Sequence, residues 1–232
     1  EGMDRFTDET AARGLDVDVS EPFADPPSPP SGATVTASDL DGDGDVDLLL
    51  PLFPSWPRLM ENDGTGRFTE APAILSAPLP PPENVAAVDL NGDGLPELVS
   101  LGDGYLAIQT NEGGLTWGPA DIIYRDDVEP IPRFVSCAFG DLDGDGDLDL
   151  FVPVVHAIAP PSDDRPPPHA DLLFRNDGGE FVLDRELMPA DVPGHAQSAL
   201  FTDRDFDGDF DLLVPSEFGR QSEPTAFFRN DG

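Results

Sequence analysis

Apolar and polar positions alternate over short stretches along this chain, and no stretch repeats its apolar residues at the three-to-four spacing of a helix. Four β-type runs, at residues 33–37, 85–88, 134–139 and 198–202, each lead into an acidic segment. Each acidic segment is followed by an apolar run of strand length, at residues 48–53, 98–101, 148–155 and 212–214. A third element then recurs: Leu59-Met60-Glu61-Asn62-Asp63-Gly64, Ile108-Gln109-Thr110-Asn111-Glu112-Gly113, Phe174-Arg175-Asn176-Asp177-Gly178 and Phe228-Arg229-Asn230-Asp231-Gly232. Its Asn and Gly residues suit the positive-φ positions of a tight hairpin, and a further strand is expected at Phe68, Trp117 and Phe181.

Each repeat therefore predicts four antiparallel strands, and four repeats predict an all-β chain. The expected architecture is a β-propeller of four four-stranded antiparallel blades, forming a single domain over residues 1–232. The fourth repeat reaches Gly232 before its last strand, while residues 2–8 resemble the 66–70 segment that completes the first hairpin. The N-terminal strand around Arg5-Phe6-Thr7 is expected to complete the last blade by pairing with the strand ending Phe227-Phe228-Arg229. Such pairing covers an edge that would otherwise be open. Closure within one chain is the expected geometry; insertion into a neighbouring copy would instead build a filament.

The acidic segments are nine-residue loops at 39–47, 89–97, 141–149 and 203–211. Side-chain oxygens stand at positions 1, 3, 5 and 9, with the carbonyl of position 7 as a further donor, a set that suits Ca²⁺. Position 6 is Gly44, Gly94, Gly146 or Gly208, which allows the sharp turn that lets the ligands converge. Three loops hold five acids each and the second holds three, of 47 in the chain. Solvated Asp-Gly turns would leave that charge repelling itself. These are not EF-hands, since position 12 is Leu50, Ser100, Val152 or Val214 and not Glu. Mg²⁺ prefers a water-rich octahedral shell, and zinc wants His or Cys, which the loops lack. Up to four Ca²⁺ ions per chain are expected.

The loops and the Asn-Asp-Gly hairpins together resemble FG-GAP/VCBS repeats, the calcium-binding blades also found in integrin alpha-subunit propellers. The resemblance covers essentially the whole chain. It implies metal ligands at Asp39, Asp41, Asp43, Asp47 and the Asp45 carbonyl in the first loop, and at Asp89, Asn91, Asp93, Glu97 and the Leu95 carbonyl in the second. In the third it implies Asp141, Asp143, Asp145, Asp149 and the Asp147 carbonyl, and in the fourth Asp203, Asp205, Asp207, Asp211 and the Asp209 carbonyl. Two loops depart from the pattern: Phe206 replaces Gly at position 4 of the fourth, and the second carries Asn91, Pro96 and Glu97.

Charge narrows the partners. Twelve basic residues, all Arg, stand against the acids, for a formal charge of -35. That field repels phosphate backbones and anionic membrane surfaces, so neither nucleic acid nor membrane insertion is expected. No apolar run approaches the ~20 residues that span a bilayer. The chain opens at Glu1 without a leader-like segment, so a signal peptide is expected to have been removed or never present. The single Cys137 excludes an intramolecular disulfide and reads as a buried small hydrophobe. His156, His169 and His195 show no ligand spacing, and Trp56 and Trp117 are expected to pack between blades.

Prolines cluster at 22–30, 78–82 and 160–168, and strand parity puts them on the face opposite the calcium loops. Stiff polyproline-like segments there, or the propeller rim, would offer a low-entropy contact surface for a protein, a glycan or further copies of the chain. No nucleophile-base pair or phosphate loop emerges, so the chain is expected not to be an enzyme. The expected role is a secreted or cell-surface calcium-stabilised module for adhesion, display or assembly. The alternatives are a glycan-binding lectin, an accessory module of a polysaccharide-degrading enzyme, and a filament subunit formed by strand exchange.

Overall fold

The computed structural model describes residues 7–17, 34–50, 56–72, 79–127, 131–155, 170–186, 196–215 and 225–232, and all regular structure among them is strand. The first repeat forms a four-stranded antiparallel sheet from β1 (Thr36–Ser38), β2 (Asp47–Leu50), β3 (Arg58–Asn62) and β4 (Phe68–Glu70), in that order. The second does the same with β5 (Asn84–Val88), β6 (Glu97–Gly102), β7 (Tyr105–Gln109) and β8 (Asp121–Arg125). The third opens with a two-residue strand, β9 (Arg133–Phe134), followed by β10 (Ala138–Gly140), β11 (Asp149–Val152), β12 (Val154–Val155), β13 (Leu172–Asp177) and β14 (Glu180–Leu183). Its main sheet runs β10-β11-β13-β14, and β9 pairs separately with β12. The fourth repeat holds three described strands, β15 (Leu200–Thr202), β16 (Asp211–Val214) and β17 (Ala226–Phe228). This is an all-β fold of repeated antiparallel sheets, consistent with a propeller-like arrangement.

Three details were not anticipated from the sequence. The run 148–155 breaks at Pro153, which has no N–H to continue the ladder, so β11 ends and β12 pairs elsewhere, Val154 opposite Phe134. Trp117 does not begin a strand: it makes an isolated bridge with Asn111, and β8 starts at Asp121, beyond Gly118-Pro119. Of the N-terminal strand, Arg5 and Phe6 lie outside the described residues, and Thr7 is not in a strand. The segment that follows sits on the first repeat, where the Phe68 amide donates to the Arg13 carbonyl (2.7 Å) and the Arg13 guanidinium to the Thr65 carbonyl (3.1 Å).

The core lies between neighbouring repeats and is built by strand alternation. In β11, Leu150 and Val152 face a cluster shared with the second repeat, while Phe151 between them faces a cluster shared with the fourth. In β13, Leu172 and Phe174 likewise face one way and Leu173 the other. Both faces are covered, so these strands read as continuous apolar runs. Leu40, Leu49 and Leu59 of the first repeat pack with Val85 and Leu98 of the second, and Trp56 and Trp117 pack against the same cluster, as expected for inter-repeat tryptophans. Tyr124 of β8 meets Phe134 and Phe174 edge-on at 5.9 and 6.0 Å. Each Leu or Phe fully buried in this way contributes about 1.5–3 kcal/mol. Cys137 packs against the second–third cluster, and burial pushes its thiol up to about 12, so it behaves as a small hydrophobe.

Two buried acids among the described residues lie outside the loops: Glu83, which is paired with Arg133, and Asp171. Asp171, just before β13, is 7% exposed. Its Oδ1 accepts the Val154 amide at 2.8 Å, while its Oδ2 is buried without a partner. Burial pushes the carboxyl to about 6, against 3.8 for the free group. Because the folded value is raised, the native state binds the proton more tightly, so stability falls as pH rises from about 4 to 6 and stays low above it. About two units correspond to ~3 kcal/mol. Asp171→Asn is expected to remove this pH-dependent step, and urea unfolding at pH 4.5 and 7.5 measures it. An unchanged difference between the two pH values would rule Asp171 out as its source.

Candidate metal centres

In all four acidic loops the position 1 carboxylate accepts the amide of the position 6 glycine, and in the first three it also accepts that of the position 4 glycine. In the first, the position 1 carboxylate of Asp39 accepts the amides of Gly42 (2.8 Å) and Gly44 (2.9 Å). Asp41 Oδ1 accepts the Asp43 amide and Asp43 Oδ1 the Asp45 amide, at 3.0 and 2.9 Å. Asp89 and Asp141 hold their loops in the same way, through Gly92 and Gly94 and through Gly144 and Gly146. Local N–H donors thus fix the carboxylates around one point, each oxygen keeping lone-pair capacity.

Position 9 ties loop to sheet. Asp47, Glu97, Asp149 and Asp211 are at most 3% exposed. Each accepts the amide of position 2 in its own loop: Leu40 at 2.9 Å, Leu90 at 2.8 Å, Leu142 at 2.7 Å and Arg204 at 3.3 Å. The other oxygen of Asp47, Asp149 and Asp211 accepts the amide of Asn62, Asn176 or Asn230, and Asn111 contacts Glu97 likewise. Burial pushes the carboxyls of Glu97 and Asp149 upward, helped by the neighbouring loop acids, against the pull of these backbone donors.

The residues fit a hard cation. Carboxylate oxygens of Asp39, Asp41 and Asp43, of Asp141, Asp143 and Asp149, and of Asp203, Asp205 and Asp207 lie within 4.8 Å of one another in each set. In the fourth loop Asp203 Oδ1 is buried without a hydrogen-bond partner, an arrangement that costs about 1–3 kcal/mol unless something positive meets it. An all-oxygen donor set suits hard cations such as Ca²⁺ more than metals that want nitrogen or sulfur ligands.

Glycine at position 4 adopts positive φ, 84° at Gly42, 74° at Gly92 and 75° at Gly144. Phe206 takes the same conformation at 61°, which costs a residue with a Cβ roughly 1–2 kcal/mol, and its ring is 90% exposed.

The second loop is the exception. Among the described residues Asp89, Asp93 and Glu97 do not form such a convergent set. The Asn91 side-chain amide donates to Glu97 Oε1 at 3.2 Å, so two of the implied ligands engage each other. With fewer carboxylates, this site is expected to bind calcium most weakly. A crystal structure at limiting calcium should show it emptied first; finding it the best occupied would reverse the ranking.

The sequence pattern gives the Asn of each Asn-Asp-Gly element a turn-forming role. In the structure its side chain also joins repeats. The Asn111 amide donates to the Leu40 carbonyl of the first repeat, Asn176 to Leu90 of the second and Asn230 to Leu142 of the third, each at 2.9 Å. Asn111 and Asn176 donate in addition to the position 8 carbonyls of their own loops, Pro96 and Leu148, at 3.2 Å. The available signal was that the first residue of the element is Asn in all four copies whereas the second is Glu112 in one. His156, His169 and His195, the proline segments 22–30 and 160–168, and Pro78 lie outside the described residues.

Fold and loops define the chain as an all-β repeat protein in which each sheet carries an acidic, oxygen-lined loop. Residues 39–100 and 89–152 match the model of the FG-GAP-like repeat, and the chain is an FG-GAP repeat protein. Among solved structures it is similar to an Agrocybe aegerita lectin described as specifically recognising non-reducing terminal N-acetylglucosamine, with a TM-score of 0.56 and 16% identity. The match covers 86% of this chain and 50% of the lectin chain, so this chain spans about half the length of that neighbour. No curated protein matches it. The repeats and the fold fit a non-catalytic propeller-like module.

Proposed function

We propose that the chain is a calcium-stabilised, non-catalytic propeller module that acts outside the cell in adhesion, surface display or assembly. The observation that carries this reading is the convergence of carboxylate oxygens in three loops, with the buried, unpartnered Asp203 Oδ1 in one of them. Calcium would be held by positions 1, 3, 5 and 9 and the position 7 carbonyl. Bound there, it supplies positive charge that offsets repulsion among acids and locks each loop to its sheet. Four ions would move the formal charge from -35 to about -27. Millimolar extracellular calcium suits sites of this kind, which is the ground for an extracellular location. The blades would number four, with the N-terminal strand completing the last blade of its own chain or of a neighbouring copy. Calorimetric titration of calcium into chelator-treated protein tests the reading, with three to four sites expected and no heat of binding counting against it.

Glycan binding is the second reading, favoured by the structural likeness to a lectin. A glycan array probed in calcium separates the two: saturable binding to one sugar class supports the lectin reading, and a blank array leaves adhesion or assembly through protein contacts.

A further inference from the structure

The interface between successive repeats recurs three times, so its two sides are defined by example. The forward side carries the position 2 carbonyl and the inner-strand residue three before the loop. Thr36 there donates to the Val85 carbonyl of the next repeat at 2.8 Å, and Ala138 packs in a cluster with Phe201 of the next repeat. The rear side carries the Asn amide that reaches that carbonyl, and the residue four before the loop: Val85 there packs on Leu40, Leu49 and Leu59 of the preceding repeat. Position 4 faces forward, and the Leu95 side chain of the second repeat lies against Gly42 of the first.

Among the described residues both sides are left uncovered at the two outer repeats. On the rear of the first, Val35 and Val46 are 53% and 52% exposed. Among the described residues the Asn62 side-chain amide donates only to the Val46 carbonyl of its own loop, whereas the amides of its counterparts reach a preceding repeat. On the front of the fourth, Leu200 and Phe206 are 55% and 90% exposed, and among the described residues no side-chain amide reaches the Arg204 carbonyl. Burial along the second strand of each sheet tells the same story. It is unbroken in β6 and β11, but alternates in β2, where Leu48 and Leu50 are half-buried, and lapses at Leu213 in β16.

The geometry points to a second copy of this chain as the occupant: the front of the fourth repeat docks on the rear of the first repeat of another copy, remaking the internal interface between chains. The second N–H of the Asn62 amide then donates to the partner's Arg204 carbonyl, which no side-chain amide reaches among the described residues, and Val35 and Val46 cover the partner's Leu200 and Phe206. Position 2 is Leu in the other loops but the exposed Arg204 here, which places one cation at a contact between chains that each carry a formal charge of -35. The strained φ of Phe206, where the other loops use Gly, is explained if its ring is an interface anchor. The contact is head-to-tail, so two copies close into a ring if the rotation allows and otherwise continue as a chain. The proposal deepens the assembly reading above and rests on it.

Solution mass measured by light scattering across a concentration series, with the whole chain in millimolar calcium, tests the proposal. The expected result is a mass rising from 24.8 kDa to at least twice that value. Val35→Asp and Leu200→Asp should each shift the protein back toward monomer. Mixing the two variants should restore a two-chain complex, because each keeps the face the other has lost. Phe206→Gly guards against misfolding, since it relieves strain: its melting temperature should hold or rise while association weakens by ~10-fold or more, equivalent to about 1.4 kcal/mol. Three outcomes overturn the proposal: a monomer at every concentration, variants that fail to complement on mixing, or a monomer whose melting temperature both aspartate variants lower, which would mean closure within one chain. None of these touches calcium binding, which the calorimetric titration judges separately.

Discussion

Withdrawing calcium is expected to lower the melting temperature by about 10–20 °C. At ~10-fold excess over its dissociation constant, each ion stabilises the folded chain by roughly 1.4 kcal/mol through mass action, and four ions contribute about 5–6 kcal/mol. For a chain of 150–250 residues each kcal/mol shifts the midpoint by about 2–4 °C, which gives that range. The structural cause is specific to the position 9 acids. Asp47, Asp149 and Asp211 are buried and hold a loop amide and a strand-end amide at once. Without a cation they do so beside other carboxylates, and that repulsion loosens loop and sheet together. Thermal melts with calcium and with excess chelator, at equal ionic strength, provide the measurement. Superimposable curves would show that the loops are solvated turns.

Asn176→Asp is expected to destabilise the protein by about 4–5 kcal/mol although it changes almost no volume. The Asn176 amide nitrogen faces the Leu90 carbonyl at 2.9 Å and the Leu148 carbonyl at 3.2 Å, in a residue 1% exposed. Aspartate puts an acceptor where both carbonyls need a donor, leaving two buried acceptors unsatisfied and one charge without a partner. The same exchange at Asn62 should cost the isolated chain about 1 kcal/mol, because that amide meets a single carbonyl and is partly exposed. Chemical denaturation of the two variants in parallel decides the matter. Equal losses would mean that the Asn side chain serves its turn alone.

The contrast between these two asparagines shows where sequence reasoning stopped. The loops were legible because their geometry is made by residues close in the chain: Asp39 reaches Gly42 and Gly44, three and five residues on, and Asp47 reaches back seven to Leu40. A repeated spacing of acids and glycines therefore defined both a conformation and a ligand type. The strands were legible for the same reason, except where a local feature was underrated. Pro153 splits the apolar run 148–155 into two strands, and Gly118-Pro119 delays β8 beyond Trp117.

By itself, then, the amino-acid sequence determined the all-β class, the repeat, the four acidic loops and the calcium chemistry they suit, since each rests on backbone preferences and ligand spacing over fewer than ten residues. Only the tertiary structure decided which surfaces meet. Asn111, Asn176 and Asn230 find their carbonyls 71, 86 and 88 residues away, and β11 sends Phe151 to one neighbour and Leu150 to the other. Those pairings depend on how sheets stack, and stacking minimises exposed apolar area and unmatched polar groups over the whole molecule at once. The same requirement, left unmet at Val35 and Asn62 on one side and at Leu200 and Phe206 on the other, marks the two faces from which assembly is inferred.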